Sequence, residues 1–186
     1  MYDNQSGIFV TSEEVSKALD AKSPIVALES TIITHGLPFP DNWELAIKAE
    51  DTVRSYGCTP ATIAVINGKV KIGLTHGEID TLAKGKNLKK LSTSNLSISI
   101  AKEEMGSTTV AATLVAAHLI GIQVFATGGI GGAHRGSELN FDISADLQQL
   151  SKTKINLICA GPKAILDIPK TVEILETLGV PLITYK

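Results

Sequence analysis

A lysine that follows an apolar segment is the strongest candidate for a reactive side chain in this sequence. Lys163 lies in Ala160–Ala164, directly after Ile155–Cys159, and this short run of apolar and β-branched residues predicts a buried parallel strand. In open α/β sheets, ligands bind beyond the carboxyl ends of the strands. An amine in apolar surroundings gives up its proton more easily, and it could then attack a sugar or carbonyl carbon. The alternative is a strand-end lysine that is simply solvated.

A carboxylate occupies a comparable place at the end of an earlier strand. Glu29 follows Ile25–Leu28, the first clear strand in the sequence. Desolvation at a strand end would raise the pKa of this carboxyl group, which would suit it to acid–base catalysis. A solvated carboxylate, or one hydrogen-bonded to the backbone of a turn, is the alternative interpretation.

A glycine-rich segment suggests contact with an anion. The glycines of Gly128–Gly132 would let backbone N–H groups approach an anion closely, and His134 and Arg135 could face a phosphate or a carboxylate. The spacing does not match G-x-G-x-x-G and lacks a Walker GK[ST] ending, which argues against a dinucleotide fold and against an NTPase. A strained turn with a solvated arginine is the alternative.

Two acids lie four residues apart in Phe141–Leu147. If this segment is helical, Asp142 and Asp146 share one face, and their hard oxygen ligands suit Mg²⁺ or Mn²⁺ with waters completing the shell. Equally, Ser144 could be a helix N-cap with Asp146 as a first-turn acid.

Two further segments allow phosphate binding or a plainer role. Ser107 and Thr108 are predicted to begin an alanine-rich helix ending near Gly121, and the free N–H groups at its start could seat a phosphate. Ordinary capping is the alternative there. Lys90 stands next to Lys89, and a solvated charge pair is its default interpretation.

The composition narrows the function classes. The chain has 186 residues, of which 44% are hydrophobic, 19% charged and 4% aromatic, and its net charge is −2. Neither a basic nucleic-acid binder nor a base-stacking platform is expected from these values. No membrane span is predicted from the sequence. The two cysteines favour a reducing compartment, which indicates a cytoplasmic protein or one inside an organelle. Cys159 lies inside a predicted strand and is interpreted as a buried structural thiol.

The elements that must position these residues alternate between strands and helices. This order predicts one α/β domain over residues 1–186, built as three α/β/α layers around a mixed, mostly parallel sheet. Asn67-Gly68 predicts a hairpin inside it. The predicted strands are Ile25–Leu28, Thr62–Ile66, Lys69–Ile72, Ile122–Ala126, Ile155–Cys159 and Val180–Ile183. The other predicted helices are one opened by Thr11–Glu14 and ending at Asp20, one from Asp41 or Asn42 to about Tyr56 after an extended Pro38–Pro40, one capped by Thr75–Glu78, and Pro169–Leu178.

The two ends of the chain carry their own expectations. Met1–Val10 is polar and has no signal-peptide core. The apolar strand predicted at Val180–Ile183 is followed only by the last few residues, which indicates either an exposed sheet edge or a chain truncated at its C-terminus. Association or low stability of the chain by itself is expected from such an edge.

Taken together, these segments resemble the pseudouridine-5′-phosphate glycosidase family, also called the indigoidine synthase A-like family. The resemblance covers nearly the whole chain and rests on an ordered set of segments rather than on one motif. These are Ala27–Thr31, His35–Pro40, Thr59–Val65, Thr108–Thr113, Phe125–Gly132, His134–Gly136, Phe141–Leu147, Cys159–Gly161 and Lys163–Asp167.

The resemblance implies a reaction and a set of residues for it. It implies reversible cleavage of the C–C bond between uracil and ribose 5-phosphate, with Glu29 as proton donor and Lys163 as the nucleophile that forms a Schiff base. It implies Mn²⁺, or another divalent metal, at Asp142, and a homo-oligomer, commonly a trimer, with pockets near subunit boundaries. The implied substrate contacts are Lys90, Val110, Ser144, Ala145 and Asp146.

The sequence departs from the family pattern in two places. Thr93-Ser94-Asn95 stands where members usually carry an arginine pair and an aspartate, so phosphate or neighbour-subunit contacts are expected to differ there. The family also continues past residue 186. Two other functions compete with the glycosidase: a Schiff-base phosphosugar enzyme of aldolase type, and a non-catalytic fragment or scaffold.

Overall fold

The structure, a computed structural model, describes residues 7–185, so the expectation for Met1–Val10 lies largely outside the described residues. The strands are β1 (Phe9–Thr11), β2 (Ile25–Leu28), β3 (Thr59–Ile66), β4 (Lys69–Ile72), β5 (Lys89–Leu91), β6 (Gly106–Thr108), β7 (Val124–Ala126) and β8 (Asn156–Ile158). The helices are α1 (Glu13–Asp20), α2 (Thr31–His35), α3 (Asp41–Ser55), α4 (His76–Lys84), α5 (Leu96–Ala101), α6 (Val110–Leu119), α7 (Ser137–Asn140), α8 (Ala145–Lys152) and α9 (Ile168–Thr177). Within this range, no helix is both long and apolar enough to cross a membrane.

The strands form one mixed sheet in which parallel pairs predominate, as the alternation of elements predicts. Its main order is β1-β4-β3-β2-β7-β8, while β6 pairs with β3 and β5 pairs with β6. Only β3–β4 and β3–β6 are antiparallel among the pairs of described strands. β2 lies between β3 and β7, with both of which it is parallel, so the carboxyl ends of these three strands meet at one edge.

Two short-range signals specify their elements well. Asn67 and Gly68 both adopt positive φ, 49° and 69°, which is the backbone that a tight hairpin between β3 and β4 requires. Thr75 and Glu78 form the expected reciprocal capping box at the start of α4. In contrast, α1 is capped by Ser12 rather than Thr11, and its side chain accepts from the N–H of Val15.

Side chains of β3 alternate between two apolar clusters and so define the layers. Ala61, Ile63 and Val65 belong to a cluster that includes residues of α1, α6, α8 and α9. Ala64 points to the opposite face and belongs to a second cluster, with residues of α2, α3 and α4. Since successive strand residues point to opposite faces, this alternation buries β3 on both sides and confirms the three-layer arrangement.

The predicted starts of two helices, α6 and α3, are wrong. Ser107 and Thr108 lie in strand β6, and α6 begins only at Val110, because β6 finds partners in β3 and β5 that are distant in sequence. The segment Pro38–Pro40 is a turn rather than extended. Pro40 itself precedes the first residue of α3, so neither Asp41 nor Asn42 is the cap.

Two expected strands also differ. Residues 180–185, which the structure describes, form no strand, and Leu182 and Ile183 are 52% and 94% exposed. An apolar run becomes a strand only where a neighbouring strand satisfies its backbone, and none of the described strands lies beside it. β8 is confirmed but lies at the end of the strand order, so Ile158 is 56% exposed rather than buried.

Candidate active site

The parallel register brings Glu29 to the same edge of the sheet as a threonine. Leu28, the last residue of β2, pairs with Ala126, the last residue of β7. Glu29 and Thr127 are therefore the next residues on two neighbouring strands. Their side chains meet there, with the Thr127 hydroxyl donating to Glu29 Oε1 over 2.6 Å.

The electrostatic surroundings of Glu29 favour its protonated form. Burial is the largest influence and raises the pKa of its carboxyl group above the usual value. The hydrogen bond from Thr127 and the positive charge of Lys163 oppose this rise, while the negative charge of Asp146 adds to it. A raised pKa makes a strand-end carboxyl better suited to hold and deliver a proton, which is the property expected of Glu29.

The backbone around Lys163 is fixed while its side chain reaches solvent. Ile130 N donates to the Gly161 carbonyl and Lys163 N donates to the Ile130 carbonyl, both over 3.1 Å. Gly161 has φ of 103°, which side-chain-bearing residues rarely adopt. A Cβ at Gly129 would lie 3.1 Å from the Gly161 carbonyl oxygen, so the two loops approach each other closely at this glycine.

Cys159 lies just before this lysine-bearing turn. It follows the end of β8 instead of lying inside the strand, and it is half-buried. Its Sγ accepts from Gly161 N over 3.3 Å, so it supports the turn that carries Lys163. The expected structural role fits this contact, although the expected full burial is wrong.

The N-terminus of α6 forms another wall of the site. Thr109 is its N-cap and accepts from the N–H of Ala112, while Val110 is the first helical residue. The carboxylate of Asp146 lies against this end: Oδ1 accepts from Ala111 N and Oδ2 accepts from Gly131 N, each over 2.8 Å. Free N–H groups at a helix N-terminus attract anions, and here Asp146 already occupies part of that position.

Asp146 and Asp142 do not share a helix face. α8 begins at Ala145 after the N-cap Ser144, whose Oγ accepts from Asp146 N, so the capping interpretation of this segment is confirmed. Asp142 precedes the helix, and its side chain is 61% exposed, with one oxygen 3.9 Å from His134 Nδ1. The metal-binding interpretation based on one shared helix face is therefore wrong in its geometry.

Lys90 reaches the site from strand β5. It lies in β5, paired in register with Ser107 of β6, and its side chain is exposed. Its neighbour Lys89 is engaged in an ion pair with Glu104 at 2.7 Å. The two adjacent lysines therefore do not act as one solvated charge pair, and Lys90 faces the cavity.

Two adjoining cavities of about 430 Å³ and 410 Å³ bring most of the expected site residues together. Glu29, Thr31, Lys90 and Lys163 line both. The first is also lined by Val110, Ser144 and Asp146, with Ser92, Ser94, Asn95, Thr109, Gly131, His134, Ile165 and Leu166. Of the expected site residues in the described chain, Ala145 and Asp142 line neither cavity.

A buried hydroxyl network beneath the cavity was not expected from the sequence. The Ser30 hydroxyl and the Thr108 hydroxyl both donate to the Ile63 carbonyl over 2.6 Å. Thr113 Oγ1 donates to Thr108 Oγ1 over 2.9 Å, and Thr31 Oγ1 donates to the Thr108 carbonyl over 2.8 Å. These bonds join the end of β2, which carries Glu29, to the start of α6.

The family of the chain follows from comparison of its sequence. The profile of a family described as "Indigoidine synthase A like protein" matches residues 14–186. The chain belongs to the indigoidine synthase A-like family. Among its curated relatives, a pseudouridine-5′-phosphate glycosidase of Solibacter usitatus is 57% identical over 172 residues, which are 92% of this chain and 58% of that protein. The chain thus spans little more than half the length of the relatives that it matches.

Two solved structures share the fold of this chain. The prealnumycin C-glycosynthase AlnA, solved in complex with ribulose 5-phosphate, is 44% identical with a TM-score of 0.86, covering 94% of this chain and 56% of that one. An indigoidine synthase A-like protein of Thermotoga maritima is 34% identical with a TM-score of 0.83, again over 94% of this chain and 56% of the other. Both support the fold class expected from the sequence.

Sequence reasoning missed Thr127 as a residue near the site. Thr127 could have been found from the rule that parallel strand ends converge, once β7 was placed beside β2. Asn95 lies in the segment that departs from the family pattern. Its side chain accepts from Ser92 N and donates to the Lys90 carbonyl, so it shapes the loop that follows Lys90.

Proposed function

We propose that the protein catalyses the reversible cleavage of the C-glycosidic bond of pseudouridine 5′-phosphate, which yields uracil and ribose 5-phosphate. The observation that carries this proposal is the convergence of Glu29 and Lys163, from separate strand ends, in one cavity. The names of the relatives support it, since one is a glycosidase of this substrate and a structural relative is a C-glycosynthase.

The chemistry requires an amine and a proton donor on this substrate. An ordinary glycosidase protonates a leaving oxygen, but the uracil of a C-glycoside leaves from a carbon. In the proposed sequence, the Lys163 amine bonds to C1′ as the C1′–O4′ bond breaks and O4′ takes a proton, which opens the ring. Glu29 then protonates uracil C5, and the nitrogen electron pair forms C1′=N as the C1′–C5 bond breaks. Water hydrolyses the imine to ribose 5-phosphate and regenerates the amine.

The other residues of the cavity suit a phosphosugar. The ammonium of Lys90 and the N-terminus of α6 at Val110 both present positive charge to the cavity, and both are features that bind phosphate. Ser144 offers a hydroxyl on the same wall, next to Asp146. We assign the phosphate to Lys90 and Val110 and the sugar hydroxyls to Ser144, with Ala145 and Asp146 shaping the wall behind it.

Covalent trapping tests this assignment. Borohydride reduction of the protein with ribose 5-phosphate should add one reduced sugar phosphate, which peptide mass spectrometry should place on Lys163. Lys163→Ala should abolish both the adduct and uracil release, whereas Lys90→Ala should keep the adduct site and weaken binding. An adduct on Lys90 would overturn the role given to Lys163. Release of an aldehyde fragment without uracil would point instead to an aldolase-type reaction.

We also propose that Asp142 holds a divalent cation, Mn²⁺ in the first instance. Residues 7–185 contain no group of three or more His, Cys, Asp or Glu side chains that could hold a metal. One exposed carboxylate beside His134 fits only a cation that keeps most of its waters, as Mn²⁺ and Mg²⁺ do. Asp142 lines neither cavity, but His134 beside it lines one, so such a cation would supply positive charge at the border of that cavity.

Metal binding can be measured apart from activity. Electron paramagnetic resonance titration should show that Asp142→Asn weakens Mn²⁺ binding and raises the Mn²⁺ concentration needed for activity. Asp80→Asn, which changes an exposed carboxylate of α4, is the matched control and should bind like the unaltered protein. An unchanged Mn²⁺ titration for Asp142→Asn would contradict this assignment.

Assembly and location are the remaining parts of the proposal. Large apolar side chains are exposed, namely Leu139 (86%), Phe141 (81%) and Ile165 (71%), which supports a homo-oligomer, for which we propose a trimer. Light scattering of the purified protein would measure this directly. Two free cysteines support a cytoplasmic location.

A further inference from the structure

Asp146 lines the cavity, but both oxygens of its carboxylate already accept hydrogen bonds from the protein backbone. The residue is 7% exposed, and its two oxygens accept from backbone N–H groups of two separate segments, Ala111 at the start of α6 and Gly131 in the glycine-rich loop. Ser144 Oγ in turn accepts from Asp146 N. A carboxylate that bridges two backbone segments in this way holds them at a fixed separation.

The two bridged segments carry different parts of the proposed chemistry. α6 presents its N-terminus, where the phosphate would bind. The loop at Gly131 continues directly from Ile130, whose N–H and carbonyl form the hydrogen bonds with Gly161 and Lys163. The chain of contacts thus runs from the phosphate position through Asp146 to the backbone of the nucleophile.

Close packing shows that the bridge has little freedom. A Cβ added at Gly131 would lie 2.8 Å from Asp146 Oδ2 and 2.2 Å from Ser144 Oγ. Both distances are shorter than side-chain carbons tolerate, so glycine is required for the carboxylate to come this near. The loop and the carboxylate are therefore fitted to one another.

We propose that Asp146 is a positioning residue that sets the distance between the phosphate seat at α6 and the backbone of Lys163, at the expense of anion affinity. This inference rests on the proposed function for its kinetic part. The carboxylate occupies the Ala111 N–H and places negative charge at the helix N-terminus, both of which oppose a second anion there. In return it fixes the geometry on which the covalent step depends, where a displacement of about 1 Å can cost about 100-fold in rate.

The proposal makes binding and turnover respond in opposite directions. In Asp146→Asn, the side-chain oxygen can still accept from one N–H, but the amide NH₂ cannot accept from the other. We expect kcat for uracil release to fall about 10-fold to 100-fold. The affinity for ribose 5-phosphate, measured by calorimetry, should stay the same or increase, because an opposing charge is gone. Asp146→Ala should show both effects more strongly, and the control Asp80→Asn should show neither.

Amide hydrogen exchange tests the bridge without relying on activity. Ala111 and Gly131 should exchange faster in Asp146→Ala, while amides of the distant strand β4 stay protected as evidence that the fold is kept. Ribose 5-phosphate affinity that falls tenfold or more with unchanged exchange at both amides would overturn the proposal and make Asp146 a direct substrate contact. An unchanged kcat would overturn it as well. If the unaltered protein releases no uracil, the proposed function fails, and exchange together with ribose 5-phosphate binding still decides the role of Asp146.

Discussion

The buried hydroxyl network under the cavity allows a sharp test of how the site is held together. Thr108 and Thr113 are both 0% exposed. In Thr108→Val, the bond to the Ile63 carbonyl is lost, although that carbonyl keeps its bond from Ser30. The same variant removes the acceptor of the Thr113 hydroxyl. Within residues 7–185, the bond to Thr108 Oγ1 is the hydrogen bond that the structure gives this hydroxyl.

The size of the effect follows from these contacts. Losing a typical buried hydrogen bond costs about 0.5–1.5 kcal/mol, and leaving a buried polar group unsatisfied costs about 1–3 kcal/mol. Thr108→Val should therefore lower the free energy of unfolding by about 2–4 kcal/mol. Thr113→Val leaves Thr108 bonded to Ile63 and should cost only about 0.5–1.5 kcal/mol.

The double variant is the decisive measurement. With both hydroxyls removed, no unsatisfied group is left between positions 108 and 113, so Thr108→Val/Thr113→Val should be more stable than Thr108→Val alone. Urea unfolding of all four proteins, with unchanged slopes as evidence of a common unfolding transition, gives the comparison. A double variant that loses the full sum of the two single effects would refute the reasoning, because the two hydroxyls would then act independently.

Two further perturbations separate electrostatics from packing in the same region. Thr127→Val removes the hydrogen bond that lowers the pKa of Glu29, so this pKa should rise further and the alkaline limb of the kcat/KM profile should move to higher pH. The control Thr127→Ser keeps a hydroxyl and should leave the limb in place. A limb that moves to lower pH or does not move in Thr127→Val would contradict the proton-donor role. Gly132→Ala would place a Cβ 2.4 Å from Thr171 Oγ1 and should lower the free energy of unfolding, measured with urea, by about 1–3 kcal/mol. The Cβ of the control Gly128→Ala meets no atom of residues 7–185 within 4 Å, so this variant should lose far less stability. Equal losses would show that the loop yields to the added methyl group.

The sequence predicts best those site residues that directly follow a strand. Glu29 and Lys163 were both placed beyond apolar runs, and that rule alone brings them to the same edge of a parallel sheet. The register adds what the rule cannot give, namely that Glu29 lies directly beside Thr127. Register depends on which strands pair, and pairing is a property of distant segments rather than of local patterns.

Short hydroxyl-rich segments were the part that the sequence describes worst. Ser107 and Thr108 suit a helix N-terminus and an edge of a strand equally well by local preference. Their strand conformation comes from partners far away in sequence: Ser107 pairs with Ala64 and Lys90, and Thr108 pairs with Leu91. α2 was missed for a similar reason, since a helix of five residues is formed only because Ile33 packs into the cluster shared with α3 and α4.

Asp146 shows that the chemical type of a residue that lines a cavity does not by itself identify the role of that residue. The family resemblance implies a substrate contact for this carboxylate, and it does line the cavity. However, its two oxygens already accept from the backbone N–H groups of Ala111 and Gly131. The exposed, flexible groups of the site, Lys90 and Lys163, are suited to follow a substrate, whereas the buried carboxylate is suited to hold the frame. Geometry in this site is therefore set by residues that need not touch the substrate, and mutations there should change rate before they change affinity.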